Sequence, residues 1–101
     1  MIKRETISHM ILEILERINQ EEGLGLEVSE ETVIIGESSQ LDSMAFLDLI
    51  NAIEEWMDNT LGMFISISSD EENFEPDGPF GNAGRLAEYL TEMIKKEGLN
   101  P

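Results

Sequence analysis

Apolar side chains recur every three or four positions in three separate stretches of this chain, and that rhythm constrains its fold more than any other feature. In the first, residues 3 to about 22, the side chains of Ile7, Met10, Ile11, Ile14, Leu15 and Ile18 fall on one helical face. Gly23 and Gly25 then stop the helix, because glycine accepts the left-handed backbone that closes a helical C-terminus. The second stretch runs from Ser43 to about Asn59. Asp42 is a suitable N-cap for it, with Leu41 and Phe46 at the two positions of a hydrophobic staple. The third begins near Asn82 or Ala83 and carries Leu86, Tyr89, Leu90, Met93 and Ile94. It closes on Lys95, Lys96 and Gly98, which suit the negative end of a helix.

The segments between these helices are long. Residues 23–41 form one connection, which Leu24, Leu26, Val28, Val33 and Ile35 are expected to pin to the core, while Gly36, Ser38 and Ser39 mark turns. A connection of that length is uncommon and often functional. Leu61 to Ser68 has an extended look through Phe64, Ile65 and Ile67, but a lone strand has no partner here. It reads as a hydrophobic linker across the bundle. Ser69-Asp70-Glu71-Glu72 satisfies the capping-box pattern and predicts a short helical turn to about Phe74, before Pro76, Asp77, Gly78 and Pro79 break the chain. The expected fold is all-α: one domain over residues 1–101, three main helices plus one short helix, with long connecting loops.

Composition removes several kinds of chemistry. With 101 residues, 41% of them hydrophobic, the chain can bury a single modest core. It has no cysteine, hence no disulfide, no thiolate metal site and no thiol nucleophile. His9 is the one histidine, and no Gly-x-Ser-x-Gly elbow accompanies any serine, so a serine hydrolase is a poor fit. Asp70-Glu71-Glu72-Asn73 followed by Asp77-Gly78 is acidic enough to suggest calcium. Glu75 stands where the calcium loop needs glycine, however, and a capped, solvated turn is the plainer reading. Ser68 and Ser69, which precede acids, have the look of phosphoacceptors, though capping accounts for Ser69. Trp56, Phe64, Phe74 and Phe80 read as core.

Charge points to partners. The chain holds 22 Asp and Glu against 6 Lys and Arg, a net −16. Such a surface repels nucleic-acid phosphates and anionic lipid and favours basic proteins. No uninterrupted apolar run suits a signal peptide or could span a bilayer. The expectation is a cytoplasmic monomer with neither nucleic-acid nor membrane partners.

Residues of the second helix, set about 100° apart, sort into two faces. Ala45, Phe46, Leu49, Ile50, Ala52, Ile53, Trp56 and Met57 form the core side; Met44, Leu47, Asp48, Asn51, Glu54, Glu55 and Asp58 lie opposite. Met44 and Leu47 are thus two large apolar side chains among carboxylates. Single exposed apolar residues are ordinary, but an adjacent pair with an acidic rim has the make-up of a docking patch. A tucked Met44, folded under the preceding loop, is the competing arrangement.

Leu41-Asp42-Ser43-Met44, Leu47-Asp48-Leu49 and Ala52-Ile53-Glu54-Glu55 resemble the Asp-Ser-Leu region of acyl carrier proteins and related phosphopantetheine-binding carriers. Glu31-Thr32-Val33-Ile34-Ile35-Gly36-Glu37 looks like the loop before the serine in free-standing carriers, and Gly84-Arg85-Leu86-Ala87-Glu88-Tyr89-Leu90 looks like their last helix. The resemblance spans nearly the whole chain and implies an acyl-carrier-like bundle. It also implies that Ser43 receives 4′-phosphopantetheine from coenzyme A, whose thiol then holds acyl groups as thioesters. By the same resemblance Asp42, Met44, Leu47, Asp48, Asn51, Glu54 and Glu55 face the phosphopantetheinyl transferase and the acyl-activating, condensing or acyl-transferring enzymes. The carrier itself is then no catalyst.

Two features depart from the housekeeping pattern. Many fatty-acid carriers have glycine two residues before the aspartate, where this chain reads Ser39-Gln40-Leu41. The stretch from Gly62 to Gly81 is longer and includes Asp77-Gly78-Pro79-Phe80. Both look more like specialised free-standing carriers and leave the cargo open: fatty acyl, polyketide, aminoacyl or peptidyl. An unmodified acidic adaptor with a carrier-like fold is the other reading.

The charge alone generates one expectation. Self-repulsion of a −16 domain is screened by salt. Melting temperature should therefore climb from low to moderate ionic strength, as followed by circular dichroism; a flat profile would contradict it.

Overall fold

The computed structural model describes residues 3–36, 39–62, 78 and 80–96. Three helices form in this span: α1 (Arg4–Glu22), α2 (Ser43–Leu61) and α3 (Ala83–Lys96). The described residues contain no strand, only an isolated antiparallel bridge between Val33 and Asn82. The short helix expected from Ser69 to Phe74, most of the Leu61–Ser68 linker, Ser38 and the break at Pro76, Asp77 and Pro79 lie outside the described residues, as does Gly98.

Glycines close α1 and α2, and an asparagine opens α3. Gly23 closes α1 in the left-handed region at φ 64°, its N–H donating to the Asn19 carbonyl. The Asn19 amide then grips the next turn from both sides, donating to the Leu26 carbonyl at 3.0 Å and accepting from its N–H at 2.8 Å. Gly62 closes α2 in the same way at φ 66°, so the helix runs to Leu61, half a turn beyond Asn59. Asn82 caps α3, its Oδ1 accepting from Arg85 N–H at 2.8 Å.

The core follows the helical rhythm with some corrections. Ile7, Met10, Ile11, Leu15 and Ile18 of α1 are buried, while Ile14 is only half-buried. On α2 the buried set is Ala45, Leu49, Ile50, Ile53 and Met57. Phe46, Ala52 and Trp56, placed on the core side by periodicity, are half-buried at its margin. On α3 Ala83, Gly84, Leu86, Ala87, Leu90, Thr91 and Ile94 are buried; Tyr89 and Met93 flank them.

α1 packs against both α2 and α3, whereas no Cα of α2 comes within 8 Å of one in α3. Phe80 bridges them instead. Its fully buried ring meets Phe46 of α2 edge-on at 5.8 Å and Tyr89 of α3 at 6.3 Å.

The connection 23–41 also differs from its sequence reading. Leu24, Val28 and Ile35 pack on the core, but Leu26 and Val33 do not join it, and the most buried residues are Ile34 and Thr32. The reason is a backbone pairing no side-chain pattern announces. Ile34 N–H donates to the Gly81 carbonyl (3.3 Å), Ile35 N–H to Phe80 (3.0 Å), and Ala83 N–H to Thr32 (3.0 Å). This short ladder turns Ile34 inward.

A polar clip finishes the job at Glu30. Its carboxylate accepts from Arg4 Nη2 at 2.8 Å, Arg4 Nη1 at 3.2 Å and Ser8 Oγ at 2.7 Å, while its carbonyl accepts from Gly84 N–H at 2.8 Å. A Cβ at position 84 would stand 3.2 Å from Glu30 Oε1 and 3.3 Å from its carbonyl oxygen, so glycine permits this close approach. The clip joins the connection to α1 and α3 together.

The hydrogen bonds from Arg4 and then Ser8 hold the Glu30 carboxyl below its ordinary range, against a smaller opposing effect of burial. A carboxyl depressed on folding stabilises fully above its unfolded pKa, and that contribution is lost as pH falls through the folded value. The stability gap between wild type and Glu30→Gln should thus be constant near neutrality and shrink below about pH 4.3. Urea titrations at several pH values test this; a gap unchanged at pH 2 would show that the charge of Glu30 contributes nothing.

Candidate functional site

Ser43 is the first residue of α2, and its side chain is exposed. Asp42 builds the corner around it. The aspartate Oδ1 accepts from Ala45 N–H at 2.8 Å, and its carbonyl accepts from Phe46 N–H at 2.9 Å, the first bond of the helical ladder. The N–H groups of Ser43 and Met44 take no acceptor among the described residues. They stand at the positive end of the helix dipole, where an anion is stabilised.

The loop before α2 makes a wall beside this corner. Ser39 Oγ donates to the Ile34 carbonyl at 2.6 Å and accepts from Leu41 N–H at 3.2 Å, folding the chain back on itself. Between loop and helix lies an open groove of about 280 Å³, with Ile34, Ile35, Leu41 and Phe46 as its apolar lining and Ser43 at its edge. The two staple residues, Leu41 and Phe46, therefore pack on the core and also line the groove.

Met44 is 73% exposed and Leu47 51%, so neither tucks beneath the loop. They border a second depression of about 390 Å³ with Asp48, Asn51 and Glu22. The structure thus gathers four of the expected recognition residues, Met44, Leu47, Asp48 and Asn51, in one patch. Asp42 belongs to the groove beside Ser43. Glu55 lies elsewhere, in a depression between α1 and α2 with Glu13, Arg17 and Trp56, and Glu54 is half-buried and lines neither.

Periodicity on α2 alone missed the contribution of α1. Glu22, from the last turn of α1, completes the rim of the patch. Arg17, one turn earlier, reaches Asp48 at 3.6 Å and donates to Glu21 at 3.1 Å. Which residues of α1 arrive beside α2 depends on how the helices cross, and no local pattern encodes that. His9 is on the surface of α1, its Nε2 2.9 Å from Glu13.

Chemically, the corner offers an exposed primary hydroxyl beside two backbone donors that, among the described residues, take no acceptor, and no described base is bonded to the hydroxyl. A phosphodiester formed on it would sit where the donors and dipole favour negative charge. Comparison of the chain with protein-family models, curated proteins and solved structures finds no match. Among the described residues, no helix is long and apolar enough to cross a membrane.

The contrast between neighbouring leucines is testable. Leu47→Ala should change unfolding free energy by less than about 1 kcal/mol, whereas Leu49→Ala, which empties a fully buried site, should cost about 2–5 kcal/mol in urea titrations. Comparable losses for both would mean that Leu47 serves the core.

Proposed function

We propose that this protein is a free-standing acyl carrier protein, with Ser43 as the attachment point of 4′-phosphopantetheine. The observation that carries this reading is the exposed Ser43 hydroxyl at the start of α2, next to an apolar groove and a patch of Met44 and Leu47 rimmed by acids. The resemblance of Leu41-Asp42-Ser43-Met44 and the following helix to the carrier family supports it from the sequence side.

The residues present suit the group. Ser43 gives an accessible oxygen, the Ser43 and Met44 N–H groups favour its phosphate, and the groove lined by Ile34, Ile35, Leu41 and Phe46 offers cover to what is attached. When bound, the group supplies a terminal thiol that carries acyl cargo as a thioester. This chain's own task is to hold the corner still and present the patch. Rigidity comes from the Asp42 cap and the Ser39 clasp. Docking is served by Met44 and Leu47 as anchors, with Asp48 and Asn51 as rim. The partners are a phosphopantetheinyl transferase, which provides base and metal, and enzymes that load, condense or transfer acyl groups through basic faces.

Intact-mass measurement after incubation with coenzyme A and a promiscuous phosphopantetheinyl transferase tests the reading. The expected result is a gain of one phosphopantetheine on wild type and none on Ser43→Ala. No gain with several transferases would favour the unmodified adaptor, and a gain that survives Ser43→Ala would move the site.

A further inference from the structure

The docking patch carries a cation of its own. Arg17 projects from α1 with its guanidinium 3.6 Å from Asp48 Oδ2 and 3.1 Å from Glu21 Oε1. Asp48 shares its depression with Met44 and Leu47, so the acid that borders the apolar anchors is already paired. Both Arg17 and Asp48 are 45% exposed at the side chain, and such pairs hold loosely. The chain has only 6 Lys and Arg against 22 Asp and Glu, which makes a basic residue at this rim stand out.

We propose that Arg17 is a built-in counter-cation of the patch: it occupies Asp48 in the free protein and yields it to an Arg or Lys of the docking enzyme. The inference rests on the carrier reading and extends it to α1. The partner's cation takes the place Arg17 leaves, while Met44 and Leu47 enter an apolar slot beside it. Glu21 keeps Arg17 attached to its own helix after the exchange, because their i,i+4 hydrogen bond does not involve α2. Arg17 in this role sets specificity by competing with the partner's cation for Asp48. It lowers the attraction for any weakly basic surface and admits partners whose cation can displace it.

A double-mutant cycle on the modification reaction tests this. kcat/KM with coenzyme A and a transferase bearing a basic docking face is measured at low salt for wild type, Arg17→Gln, Asp48→Asn and the double variant. Lys96→Gln, at the last turn of α3, controls for net charge. Arg17→Gln should raise kcat/KM about two- to fivefold through KM, an advantage that fades with added salt. Asp48→Asn should lower it, the double variant should match Asp48→Asn alone, and Lys96→Gln should leave it unchanged. Melting curves confirm that each variant folds. A slower or unchanged Arg17→Gln, or an equal gain on the Asp48→Asn background, overturns the inference alone. An unmodified wild type overturns the carrier reading and this inference with it.

Discussion

Burial of one ring, Phe80, connects parts of the molecule that otherwise would not meet. α2 and α3 each pack on α1, and no Cα of one lies within 8 Å of a Cα of the other, so side chains must bridge them. Phe80 does so, touching Phe46 on α2 and Tyr89 on α3. Its carbonyl also accepts from Ile35 N–H, which draws in the loop that precedes Ser43. An aromatic side chain of this size contributes the apolar area that a small core needs. The candidate site therefore stands on the same support as the core: Phe46 lines the groove on one side and contacts Phe80 on the other.

The long first connection is held by polar contacts as well as by the packing of Leu24, Val28, Ile34 and Ile35. A segment of this length would lose much conformational entropy on ordering, and its backbone groups need partners if they are to leave water. The bridge at Val33 and Asn82, with its flanking hydrogen bonds, supplies some of them. The side chains of Asn19, Thr32 and Ser39 partner others at Leu26, Ser29, Glu27 and Ile34, and the Glu30 clip ties the loop to Arg4 and Ser8 on α1 and to the backbone of Gly84 on α3. Neighbouring Glu88 lies 3.7 Å from Arg4 Nε, so one guanidinium organises two acids in a chain that is short of cations.

The same scarcity shapes the surface. Among the described residues most carboxylates are exposed, while Arg4 and Arg17 each join elements: the loop to α1, and α1 to α2. The proposed docking patch is a two-helix surface. Met44, Leu47, Asp48 and Asn51 come from α2, and Glu22 with Arg17 from α1.

The sequence by itself determined the helices and which way α2 faces. The three-to-four-residue rhythm, the Asp42 cap and Gly23 act within a few residues of one another, so they can be read locally. The outward face of Leu47 follows from the same geometry, since one side of an amphipathic helix must turn outward, whereas the structure decided that Met44 does not tuck under the loop. Only the tertiary structure decided that Ile34 and Thr32 go inside instead of Leu26 and Val33, that Phe80 is the bridge, and that Arg17 meets Asp48. Those outcomes join residues separated by tens of positions, and they depend on crossing angles and backbone pairing that side-chain periodicity does not carry.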